Sequence, residues 1–179
     1  IGLALLLAAL VAAVPWQPPG AARAQADQDR PVASGGAPKA RRAQQQATRT
    51  LQRGEDPIVV TGDKMPSFDG AALGHLFVYA YRSGTWEQIP WQFDEVADGF
   101  VVPSEDGTLD ADDQLVFMAR DTGDRAPAQS WIANAASRQH PRYEITVTDP
   151  LSPTSKGWVY VYRSASDTER VNTDYVDYN

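Results

Sequence analysis

The sequence predicts an all-β fold: a β-sandwich of jelly-roll or immunoglobulin-like type, or a partly open barrel, preceded by a disordered N-terminal segment. Two observations carry this. From about residue 56, seven or so short apolar runs are separated by Gly, Pro and Asp turns, the pattern of antiparallel strands. The runs alternate with period two, so helix should be scarce.

In order, "PIVVTG" (57–62) is a β-branched run closed by glycine. "GHLFVYAYR" (74–82) places Leu76, Val78 and Ala80 on one face and Phe77, Tyr79 and Tyr81 on the other. Both faces are apolar or aromatic, which predicts a central strand. Ser83 and Gly84 make a turn. In "TWEQIPWQFDEV" (85–96), Pro90 removes a ladder donor, so the run reads as an edge or as two short strands with a kink. Gly99 precedes "FVV", and "QLVFMAR" (114–120) follows an acidic loop. The stretch 120–141 carries no pattern, with one or two helical turns expected over 129–138. "RYEITVTD" (142–149) alternates, with Tyr143, Ile145 and Val147 on one face, and "GWVYVYRS" (157–164) repeats the aromatic style of the second strand. Trp86, Trp91, Phe93, Phe117, Trp131 and Trp158 are available to fill the core.

The flanking segments differ in kind. Residues 1–26 read as a signal peptide: a short apolar run, "IGLALLLAALVAAV", then a small-x-small site at Ala24–Ala26. That run is shorter than the roughly 20 residues a spanning helix needs. Residues 27–55 hold almost no large apolar side chain and read as a disordered linker. The module, 56–179, ends in another alternating run, "VNTDYVDYN", and is read as continuing beyond Asn179. The protein is expected to be secreted or displayed at the cell surface, with the rest of its own polypeptide as one partner.

Charge narrows the function. The net charge is −7; residues 1–53 carry seven Lys or Arg against two Asp, +5, which leaves −7 − 5 = −12 for the remainder. An acidic folded part argues against nucleic acid, whose phosphates need a basic face. There is no cysteine, so an exported chain of this kind must be held by its core or by a metal.

The acidic loop is the strongest local signal. From 94 to 124 there are ten acidic residues and one Arg. Aligned with an EF-hand loop, "VPSEDGTLDADD" places Asp106, Gly107, Thr108, Leu109, Asp110 and Asp113 at positions 5 to 9 and 12, while Val102 at position 1 offers no ligand. Two readings stand: a solvated Asp-Gly turn whose carboxylates cap their own backbone, or a calcium site of Asp106, Thr108, Asp110 and Asp113 completed by Asp94. Ca2+ is the only cofactor the residues suggest, since zinc prefers Cys and His.

Catalysis within these residues finds little support. There is no nucleophile elbow, P-loop or H-E-x-x-H motif, and His75 and His140 stand far apart in sequence. A carboxylate pair, Asp94 or Glu95 with Asp112 or Asp113, is the one arrangement to weigh for glycoside hydrolysis. Recognition is the alternative: Trp86 and Trp91 flank Glu87, Gln88 and Gln92, as a sugar-stacking platform would require, unless both rings belong to the core. A glycan or a cell-surface protein is the partner class this implies.

"IPWQFDEV", "DGTLDADDQLVFMARDTGDRA", "YEITVTDP" and "GWVYVY", in that order, resemble the β-rich region that precedes gingipain-like peptidase domains in large secreted bacterial proteins. The resemblance spans about Pro57 to Arg163 and implies a non-catalytic sandwich module. It also implies, as an alternative, the N-terminal part of a secreted hydrolase, peptidase or glycosidase, with its catalytic domain beyond residue 179. The catalytic Cys and His of such a peptidase would lie downstream, so no catalytic residue carries over to this chain. "DPIVVTGDKMP" is similar to the start of a TonB-dependent receptor plug, although the aromatic strands that follow do not fit one.

Overall fold

The computed structural model describes residues 47–102 and 106–165. The segment read as a signal peptide, most of the stretch read as a linker and the run after 165 lie outside the described residues. Eight strands form two four-stranded antiparallel sheets that do not close into a barrel. β1 (Pro57–Thr61), β6 (Gln114–Met118), β4 (Gln92–Ala97) and β5 (Phe100–Val102) make the first sheet, in that order. β3 (Thr85–Gln88), β2 (Leu76–Arg82), β8 (Ser152–Arg163) and β7 (Tyr143–Asp149) make the second. The described chain thus runs from the first sheet to the second and returns for β4 to β6, and its last described strand lies in the second. Among the described residues no helix is long and apolar enough to cross a membrane.

Turn chemistry sets two hairpins. Ser83–Gly84 joins β2 to β3 and Asp98–Gly99 joins β4 to β5, with φ of 49° and 88° in the first pair and 52° and 81° in the second. Positive φ at both central residues gives a type I′ turn, whose twist suits the flanking strands. Pro90 falls where the chain leaves β3, an edge of the second sheet, for β4 in the interior of the first, and Ile89 beside it is buried.

The alternation seen in sequence becomes two apolar layers. Leu76, Val78 and Ala80 of β2, Val159 and Val161 of β8, and Tyr143, Ile145 and Val147 of β7 face Ile58, Val60, Leu115 and Phe117 between the sheets. The opposite face of β2 and β8 carries Tyr81, Trp158, Tyr160 and Tyr162, packed with Trp86, Trp131, Ala126 and Ile132. Residues 122–142 cover this second layer. The segment without periodicity is therefore a lid on the sheet, and within 122–142 its helical content is one 3-10 turn, Ala136–Gln139, at the end of the span where one or two turns are expected.

Individual polar contacts hold the cover. Gly123 and Trp158 exchange both backbone hydrogen bonds, and the Asp124 N–H donates to the Tyr81 carbonyl. The Ala126 N–H donates to the Tyr160 hydroxyl (2.6 Å), which donates in turn to Glu144 (3.2 Å), itself paired with Arg125 (2.8 Å). Burial, reinforced by Glu144, pushes the Tyr160 hydroxyl well above the usual phenol range, so it stays a neutral donor.

The folded unit begins earlier than the sequence places it. Residues 47–55 dock on the sandwich and do not belong to the linker. Leu51, the one large apolar side chain of that stretch, is buried in the inter-sheet core. Thr50 and Leu51 both donate their N–H to the Lys156 carbonyl, and the Arg49 side chain reaches Thr122 Oγ1 (2.9 Å). A single leucine carries no periodicity, which is why composition alone reads the stretch as linker.

Candidate functional site

The acidic loop runs from the end of β5 to the start of β6 and is described from Asp106 onward. Leu109 anchors it: the side chain is fully buried in the core, its N–H donates to the Ala71 carbonyl and its carbonyl accepts from Gly70. Thr108 forms a bridge with Ala72. The aliphatic position of the EF-hand pattern is thus filled in space as well as in sequence.

The carboxylates turn to nearby backbone. Asp113, 1% exposed, accepts the Val96 N–H at Oδ1 (3.0 Å) and the Asp110 N–H at Oδ2 (2.9 Å). Asp110 Oδ1 accepts from the N–H groups of Asp112 and Asp113, both at 3.3 Å. Asp106 Oδ1 accepts both the N–H and the hydroxyl of Thr108, each at 2.7 Å. Asp94, on β4, accepts from the Gln92 side chain. Glu95 Oε1 takes the N–H groups of Asp106 (2.9 Å) and Gly107 (2.6 Å), fastening the loop to β4. These are Asx-type turns and strand-to-loop clamps. Among the described residues no group of three or more His, Cys, Asp or Glu gathers closely enough to hold a metal ion.

Electrostatics follow from this geometry. The two bonds from Thr108, the hydroxyl first, hold the Asp106 carboxyl below its ordinary value. Burial raises Asp113 above its own, helped by the neighbouring charges of Asp110 and Glu95 and opposed by the two N–H donors. His140 is lowered by burial and then by the charge of Arg163.

Trp86 and Trp91 go to different places. Trp86 stands edge-on to Tyr81, Tyr160 and Tyr162, with ring centroids 4.9 to 5.6 Å apart, and its indole N–H donates to Ser130 Oγ (3.0 Å). Trp91 packs against the inter-sheet core, 6.1 Å from Phe77 and edge-on to it. Both rings are half-buried, one in the outer layer and one in the inner.

Sequence reasoning missed Arg142. It is 9% exposed, and its guanidinium lies 5.0 to 5.5 Å from the rings of Tyr160, Trp131 and Trp86. It donates to the carbonyls of Ser130, Pro127 and Ala128 and to the Tyr162 hydroxyl. Among the described residues no carboxylate lies within ion-pair distance of it. The available signal was an arginine opening an alternating strand, beside a long stretch whose carbonyls had no strand to pair with. No family model, curated protein or solved structure matches the chain.

Proposed function

We propose that the folded unit is a non-catalytic scaffold or recognition module of an exported protein. In this reading the acidic loop is a structural clasp joining β4, β6 and the segment that enters β2. The observation that carries it is the commitment of the carboxylates. Asp113 and Glu95 each accept two backbone N–H groups, so the acids best placed to act as a catalytic pair are spent on shape. Export is supported by the apolar run and small-x-small site at the N-terminus and by the absence of cysteine. Trp86 and Trp91 pack in separate layers, so the reading favours a protein partner over sugar stacking.

A hydrolysis screen of the chain against chromogenic glycosides and a fluorogenic protein substrate tests the non-catalytic half; no saturable turnover is expected. Turnover that Asp94→Asn or Asp112→Asn abolishes would replace the reading with a carboxylate hydrolase.

The clasp makes a second, separate expectation. With the carboxylates already satisfied by backbone donors, the melting midpoint should be the same in calcium and in chelator. An ion at 100 times its dissociation constant would add about 2.7 kcal/mol. A rise of that order, lost in Asp106→Ala and Asp110→Ala, would make the loop a calcium site.

A further inference from the structure

The chain holds three Asp-Gly dipeptides in described positions, Asp69–Gly70, Asp98–Gly99 and Asp106–Gly107; at the first the Gly70 N–H is held by the Leu109 carbonyl (2.8 Å), and the fold treats the other two oppositely. We propose that Asp98–Gly99 is a site of spontaneous isoaspartate formation, and that Glu95 protects Asp106–Gly107 from the same chemistry. This goes beyond the module reading and does not depend on it.

In the reaction, the glycine backbone nitrogen attacks the aspartate Cγ. An N–Cγ bond forms and a Cγ–O bond breaks; the oxygen leaves as water, taking one proton from the carboxyl and one from the amide. Water then opens the succinimide. Attack at Cγ restores aspartate, and attack at the α-carbonyl leaves the chain linked through Cγ. The net change is an isomerisation with no change in mass and no need of a co-reactant. A glycine on the C-terminal side favours it because no side chain obstructs the approach.

Three things must be free: the aspartate carboxyl, the glycine N–H and the backbone rotation that brings them together. At 98–99 all three are. Asp98 and Gly99 are exposed, and neither the carboxyl nor the Gly99 N–H is held by a hydrogen bond among the described residues. Nothing lies within 4 Å of where a Gly99 Cβ would stand. The turn caps the β4–β5 hairpin, and its neighbours Phe100 and Val101 are 75% and 57% exposed, so opening it disturbs little packing. At 106–107 the attacking nitrogen is itself a donor to Glu95 Oε1 (2.6 Å), the Asp106 N–H shares that acceptor, and the Asp106 carboxylate is engaged by Thr108. Ring closure there requires these bonds to open first.

The test is peptide mapping of the intact chain after warm incubation at mildly acidic and neutral pH. An isoaspartate-specific methyltransferase and electron-transfer fragmentation locate the product, and a parallel sample is incubated in urea. In the native sample position 98 should accumulate isoaspartate on the order of tenfold faster than 106 or more, given two hydrogen bonds to a carboxylate to be opened. In urea the two should converge. Glu95→Ala should raise the rate at 106 and leave 98 unchanged; a rise at both sites marks unfolding of that variant, and the native-to-urea comparison of the wild type then decides. Equal native rates, or a faster 106, would overturn the proposal.

Discussion

Replacing Arg142 by alanine is expected to lower the melting midpoint by more than ~10 °C. The guanidinium holds the carbonyls of Ser130, Pro127 and Ala128 under an aromatic layer of Trp86, Trp131, Tyr160 and Tyr162. Without it, buried carbonyls lose their donor at about 1–3 kcal/mol each. Three ring contacts at roughly 0.5–2 kcal/mol each go as well. These losses share one side chain and do not add, so a total of about 4 kcal/mol is the expectation. Tryptophan fluorescence gives the second readout, since Trp86 and Trp131 should move toward water as the cover lifts. Arg142→Lys should recover only part of the loss, because a point charge cannot span three carbonyls as a planar fork does. A midpoint within a few degrees of wild type, with unchanged emission, would mean that the cover is held by its other ties, to β8, β2, Trp86 and Glu144, without Arg142.

The second large effect is expected at Asp113. Alanine there strands the N–H groups of Val96 and Asp110, at a net cost of about 2–4 kcal/mol after the relief of burying a carboxylate. Asparagine, with one acceptor oxygen in place of two, should cost about half as much. The pH dependence has a definite sign. Burial raises the folded-state value of Asp113 above its ordinary 3.8, so between the two values the folded state binds more protons than the unfolded one. The Asp113 contribution is then fully present below the ordinary value and is lost as pH rises through the raised one. Denaturant titrations of wild type and Asp113→Asn across the acidic range should differ by this term. A difference of opposite slope would mean that the two N–H donors outweigh burial at this carboxylate.

The strands were legible because each carries its own evidence. The alternation of β2, β7 and β8 assigns every residue to the face it occupies, since period two leaves no other choice once one face is buried. Ser83–Gly84 announced its turn by composition. What escaped was whatever depends on contacts between distant segments. The cover over 122–142 is fastened by an arginine, a tyrosine hydroxyl and backbone bridges, none of which leaves a period. Leu51 is one apolar residue in a polar stretch, and its burial is decided by the cleft it meets. Trp86 and Trp91, five positions apart, read as a pair; the crossing between sheets at Pro90 sends one ring to each layer. In the acidic loop the residue types fit a cation and a self-capped turn equally well, and only the direction of each carboxylate distinguishes them.

The position of β8 has a consequence for the order of events in time. Both apolar layers meet on this strand, and β2 finds its inner neighbour only through pairs such as Leu76 with Arg163 and Tyr79 with Tyr160. Neither layer can be closed by local hairpins as the chain emerges, and contacts so remote in sequence make for slow folding. A nascent chain therefore stays open until its last described strand has been made. Under the export proposed above, that delay would leave time to engage the machinery before the sandwich locks.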